Sequence, residues 1–253
     1  MLNICLLLPD VLGTYGDNGN ALIVKRRAQM RGIDAAIHEV KLTDAVPETM
    51  DVYLMGGGED SAQTLAVEHL TRTRAIYNVT APFLAICAGL QVLGDSFRAH
   101  DEIVDGVGLI DATTAGLKKR AIGELKSTAT GHGIAAELDG YQLTGFENHM
   151  GATILGADAS PLGKVTVGVG NTDATGAFDL PDAARQVESE GVVQGNVIAT
   201  YMHGPALARN PKLADLLIAR AMNVPLDSLE PLDLPEVDLL RRERLAAKRV
   251  ERF

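Results

Sequence analysis

PFLAICAGLQVLG, residues 82–94, decides how the chain is read. Phe83 to Ile86 is an apolar run of strand length, and the residues after Cys87 take up helical spacing. A strand that runs straight into a helix must turn sharply at one residue. The turn needs small neighbours, because the two backbones nearly touch. Ala85, Ala88 and Gly89 supply them around Cys87. This elbow lifts the thiol above the carboxyl edge of the sheet, where open α/β sheets place their sites. It also sets the sulfur at a helix N-terminus, whose partial positive charge favours thiolate. The same pattern suits a small buried cysteine in a packing contact, so the elbow alone leaves both readings open.

Working outward, strands and helices alternate over the first hundred residues. LNICLLL is a continuous apolar strand, and ALIVKRRAQMRGI has helical spacing that ends at Gly32. IDAAIHEV alternates as a strand, DVYLMGG is another buried strand, and SAQTLAVEHLTRTRAIYN is an amphipathic helix. The class is therefore α/β, with a mostly parallel central sheet flanked by helices. Beyond residue 100, β-branched runs between Gly, Asn and Asp turns predict strands that extend the same sheet. NPKLADLLIARAM predicts a helix starting at an Asn-Pro. Residues 1–224 read as one domain and 225–253 as a C-terminal arm, whose basic helix either caps the domain or docks a partner.

The chain has 253 residues, a net charge of −10, no Trp and two cysteines, Cys5 and Cys87. Acidity argues against nucleic acid as a partner. The apolar start lacks a basic leader and is too short for a membrane span. Two cysteines offer no disulfide framework, which points to a reducing, cytoplasmic compartment. No G-x-x-x-x-G-K-[ST] motif and no ligand-spaced His/Cys cluster occurs, so neither ATP nor a metal is expected on this chain.

Three further features bear on chemistry. VYLMGGGED ends a strand with Gly56, Gly57 and Gly58, whose amides, with that of Ala88, could hold a negative oxygen; an ordinary βα turn reads as well. A thiolate nucleophile needs a base that also protonates the leaving group. Among the six histidines only His149 and His203 sit at apolar-flanked strand ends, and position does not choose between them. TYGDNGN places Asp17 and Asn18 before a helix, where capping is the expected role.

Cys87-Ala-Gly-Leu-Gln91 matches the C-x-G-x-Q elbow of the class I glutamine amidotransferases, and the chain resembles that family. YMHGP, with His203-Gly204-Pro205, and GFENHMG at 145–151 are similar to its cobyric-acid-synthase-type branch. Within the branch, LLPDVLGTYGDNGN, MGGGED and KRAIGEL resemble the GatD-type glutaminase subunits of lipid II isoglutaminyl synthases.

The resemblance implies a flavodoxin-like fold and a glutaminase. Cys87 would attack the side-chain amide of L-glutamine, the amides of Gly57 and Ala88 would hold the oxyanion, and His203 would protonate departing ammonia. It further implies that Gln91 contacts substrate and that Arg120 clamps its carboxylate, although Lys118-Lys119-Arg120 also reads as a solvated basic turn. Glu147, Asn148 and His149 would lie at the site mouth. Gly151-Ala152-Thr153 stands where the family commonly has Gly-Arg-Thr.

Most members orient their histidine with an acid two residues later, where this chain has Pro205. A dyad, an acid from elsewhere in the chain, or an acid from a partner remain. The last is preferred, since a triad completed only in a complex limits wasteful hydrolysis. The partner implied is a Mur-ligase-like MurT subunit in a heterodimer, carrying ATP and Mg and amidating the D-glutamate of lipid II in peptidoglycan biosynthesis. The rivals are the glutaminase half of a corrin-ring amidase, whose ligase half would not fit in 253 residues, and a silent scaffold subunit of the same fold.

Overall fold

The computed structural model describes residues 1–173 and 186–246. The first sheet begins with β1 (Leu2–Leu7), followed by helix α1 (Gly19–Gln29), β2 (Ala35–Val40), β3 (Val52–Met55), α2 (Asp60–Thr73), β4 (Phe83–Ile86) and α3 (Ala88–Leu93). Every residue of β3 and β4 is buried, as strands covered on both faces must be. After them come β5 (Ser96–Ala99), β6 (Glu102–Asp105), β7 (Ala112–Ala129), β8 (Gln142–Leu155), β9 (Gly163–Val167), β10 (Ser189–Glu190), β11 (Val192–Gln194) and β12 (Val197–Thr200). Helices α4 (Ala206–Arg209), α5 (Pro211–Ala221) and α6 (Pro235–Ala246) complete the described chain.

The first sheet runs β11-β12-β4-β3-β1-β2, parallel throughout except for β11. The order reverses between β1 and β3, the point at which open α/β sheets leave a crevice at their carboxyl ends. Four segments leave that edge: the loop after β1, the glycines after β3, Cys87 after β4 and the turn after β12.

The strands beyond residue 95 do not extend this sheet, contrary to expectation. They build a second one, β10-β9-β7-β5-β6 with β8 on β7, and only β11 and β12 return to the first. The half-exposed burial of β7 and β8 fits an antiparallel layer with one solvated face. The two layers meet where Phe146 of β8 and His203 exchange backbone hydrogen bonds, 2.8 and 3.3 Å long.

Between Gly116↔Gly151 and Ala121↔His149 the β7–β8 register breaks. Residues 117–120 arch out opposite Met150, an extended form of the bulge that re-aims side chains near sites. Lys118-Lys119-Arg120 therefore rides on a strand irregularity rather than a turn. The α5 helix does start with Pro211 at its first position. The arm helix α6 buries none of its residues. It is held by Arg241, which donates to the carbonyls of Arg209 (2.9 Å) and Gln142, and by Lys126, which donates to the Leu245 carbonyl at 2.8 Å. A groove of about 820 Å3 beneath the arm is lined by Arg27 and Arg31, both paired with Asp215.

Candidate active site

Cys87 sits at φ 51°, ψ −106°, a conformation that L residues avoid at a cost of about 1–3 kcal/mol. Neighbouring structure enforces it. The Cys87 amide donates to the Thr200 carbonyl of the adjacent strand at 2.8 Å, so the elbow is stitched to β12. A Cβ on Gly89 would lie 3.0 Å from the Gly56 carbonyl oxygen, which is why that position is small. The α3 helix spans only six residues, so its favourable effect on the sulfur comes from its first amides rather than a long axial dipole. Cys5, by contrast, lies inside β1, where burial pushes its thiol up to about 12 and leaves it inert.

Because β4 and β12 are paired, Cys87 and His203 leave the same edge two residues apart in level. His203 is 2% exposed and its Nδ1 faces both oxygens of the Asp17 carboxylate, at 2.9 and 3.0 Å. Burial alone would lower its pKa. Hydrogen bonds and charge from Asp17 and Cys87 reverse this and push it up to about 10. A charged ring beside a sulfur at a helix start is the setting in which cysteine acts as nucleophile. Tyr15 meets the His203 ring edge-on with 5.0 Å between centroids, from a left-handed backbone position, φ 65°.

The acid facing His203 thus comes from this chain, not from a partner. Asp17 does not cap α1: the position before the helix is Asn18, whose side chain makes no capping bond. Asp17 lies after β1 at the sheet's switch point, and no sequence spacing links it to His203, 186 residues away.

Asp17 also corrects the oxyanion assignment. The Gly57 amide donates to Asp17 Oδ2 at 3.0 Å, so it serves the acid and not a substrate oxygen. Gly58, the next residue, lines the cavity that Cys87 enters. Its amide lies one residue beyond the one that Asp17 takes, and that of Ala88 is the first after Cys87. Gly57 must still lack a side chain, since a Cβ would stand 3.0 Å from His203 Cε1 and 3.3 Å from Cys87 Cβ.

The cavity holds about 350 Å3, and Tyr15, Gly58, Cys87, Gln91, Arg120 and His149 are among its lining residues. Arg120, carried by the arch, donates to Asn148 Oδ1 at 3.2 Å, so both stand on the same wall. His149 is buried, stacks on Tyr201 at 3.8 Å and hydrogen bonds the Gly151 carbonyl through Nδ1. Glu147 turns away from the mouth and accepts the amides of Val169 and Gly170. Gln91 lines the cavity, yet both ends of its carboxamide are engaged: Oε1 by Gln63 and Nε2 by the Tyr201 hydroxyl at 3.1 Å. Gln63, unnoticed in the sequence because it reads as one polar residue of an amphipathic helix, is part of this wall.

Residues 3–211 match the family model described as the CobB/CobQ-like glutamine amidotransferase domain. The chain belongs to that family. It is 34% identical to the lipid II isoglutaminyl synthase (glutamine-hydrolyzing) subunit GatD of Streptococcus pneumoniae, over 87% of this chain and 80% of that one. Identity to the GatD subunit of Staphylococcus aureus is 29%, over 99% and 97%. A probable cobyric acid synthase of Methanothermobacter thermautotrophicus is 30% identical, but over only 33% of its length. Among solved structures, the glutaminase domain of Trypanosoma brucei CTPS with bound acivicin matches with a TM-score of 0.53 at 12% identity, over 89% of this chain and 95% of that one. A glutamine amidotransferase from Thermotoga maritima matches with a TM-score of 0.52 at 13% identity, over 96% and 93%. Both share the fold expected of this family. Like its relatives, the chain is a glutamine-hydrolysing amidotransferase subunit. Among the described residues no helix is long and apolar enough to cross a membrane.

Proposed function

We propose that this chain is the glutaminase half of a two-protein amidotransferase that amidates the D-glutamate of the lipid II stem peptide. The observation that carries the chemistry is the line Cys87–His203–Asp17 at one edge of the sheet, beside a cavity sized for a small amino acid. Similarity to two GatD subunits over most of the chain supports the acceptor.

The steps follow from the geometry. His203 takes the Cys87 proton, and the thiolate attacks the side-chain carbonyl carbon of L-glutamine. The amides of Ala88 and Gly58 hold the resulting oxyanion. Asp17 keeps the ring charged, so His203 retains its proton until the C–N bond breaks and ammonia needs it. Water then cleaves the γ-glutamyl thioester, releasing glutamate and restoring the thiol. Arg120, steadied by Asn148, takes the substrate carboxylate. Gln91 and His149 shape the pocket around it.

The ammonia passes to a Mur-ligase-like MurT partner, which would carry the ATP and magnesium needed to activate the acceptor carboxyl. The test pairs this chain with that ligase. Cys87→Ser should abolish amidation driven by glutamine and spare amidation driven by added ammonia, read as D-isoglutamine in the product. Loss of both, or of neither, would refute the reading.

A further inference from the structure

We infer that Gln63 recognises the α-ammonium group of the substrate through its carboxamide oxygen. This deepens the glutaminase reading and rests on it.

Gln63 stands on the first turn of α2 and is 4% exposed. It lines the same cavity as Cys87 and Arg120. Its Nε2 donates to Gln91 Oε1, while its Oε1 is buried without a hydrogen-bond partner among the described residues. A buried acceptor left in that state is costly, and native proteins rarely keep one without a use.

Gln91 Nε2 donates to the Tyr201 hydroxyl, which sits 2.6 Å from Thr153 Oγ1, itself 2.8 Å from Thr114 Oγ1. In this arrangement Gln91 holds the Gln63 nitrogen, and the Gln63 oxygen is the carboxamide atom left over on a residue that lines the cavity.

The cavity is also divided by charge. Gln63, Glu59 and Asp60 come from the start of α2, while Arg98 and Arg120 come from the second sheet. His100 and Asp101 complete its rim, with the His100 amide tied to Asp60 Oδ2 at 3.0 Å. The α2 wall offers acceptors and carboxylates, and the opposite wall offers Arg98 and Arg120, with Asp101 beside them at the rim. That is the complement of a zwitterion, with its carboxylate toward Arg120 and its ammonium toward Gln63. A site built to bond an N–H group discriminates strongly against an analogue that lacks it.

The experiment compares two thiol-directed diazoketones on the full chain: 6-diazo-5-oxo-L-norleucine and its counterpart without the amino group. The alkylation rate of Cys87 is read by intact mass. Wild type should prefer the amino reagent by about a hundredfold or more, and Gln63→Leu should cut that preference at least tenfold. Gln63→Glu should keep or raise it, because a carboxylate still accepts from an ammonium. A merely structural Gln63 would slow both reagents equally, and an unchanged preference in Gln63→Leu, or a collapsed one in Gln63→Glu, would overturn the assignment. Failure of both reagents to label wild-type Cys87 would instead overturn the glutaminase reading itself, and this inference with it.

Discussion

Asp17 accepts at His203 Nδ1 with both oxygens and at the same time receives the Gly57 amide. It therefore fixes the ring's tautomer and raises its pKa together. Asp17→Asn should cut glutamate release by up to about ten-thousandfold, the loss seen on neutralising an orienting acid. In an NMR titration of the ring nitrogens, the same change should bring His203 down from about 10, since Asp17 and Cys87 together oppose burial and only Cys87 would remain. A titration that Asp17→Asn leaves in place would show that the carboxylate does not govern the ring. At this scale the elbow at Cys87 was legible, because it is a local pattern. His203 was half legible: strand-end position left two histidines, and the family pattern chose one. Asp17 was not, since its partner lies 186 residues away and a residue before a helix looks like a cap.

The β7–β8 ribbon carries one wall of the cavity beside Cys87. A Cβ on Gly151 would stand 2.6 Å from the Tyr201 hydroxyl and closer still to Gln91 Nε2. Gly151→Ala should accordingly disturb the contacts that brace Gln91 and Gln63, destabilising the fold by about 1–3 kcal/mol in urea unfolding. It should raise KM for glutamine more than it lowers turnover, since Cys87 and His203 stand on other elements. A variant as stable as wild type with an unaltered KM would remove the ribbon from the site. Elements of the first sheet were readable from hydrophobic runs and their helices. The second sheet was not, because strand composition says nothing about which edge a strand joins; β7 and β8 had to pair with each other before the arch holding Arg120 could exist.

Glu190 couples the two layers. Fully buried on β10, it accepts from the Thr200 hydroxyl and from the Tyr201 amide at 3.1 Å, just before His203. Burial raises its carboxyl to about 7, above the ordinary 4.5. The folded chain then binds more protons than the unfolded one between these values, so stability falls as pH rises from 4.5 to 7 and stays lost above it. The cost is on the order of 3 kcal/mol. His203 adds the corresponding loss for a raised base: its contribution is complete below 6.5 and disappears as pH climbs through about 10. Glu190→Gln should flatten the first fall and spare the second, measured as urea midpoints across pH. A profile unchanged below 7 would contradict the coupling. Arg241 anchors the arm over the Tyr141 ring, 4.1 Å from its centroid, and bonds two carbonyls of the main domain. Arg241→Ala should release α6 to proteolysis while leaving Cys87 alkylation at its wild-type rate; slowed alkylation would tie the arm to the site.

The most direct measurement is the mass of acid-quenched full-length chain mixed with L-glutamine. The account predicts a transient γ-glutamyl group on the peptide that contains Cys87, absent from Cys87→Ser. Glutamate released while that peptide stays unmodified, or an acyl group found on another residue, would contradict it.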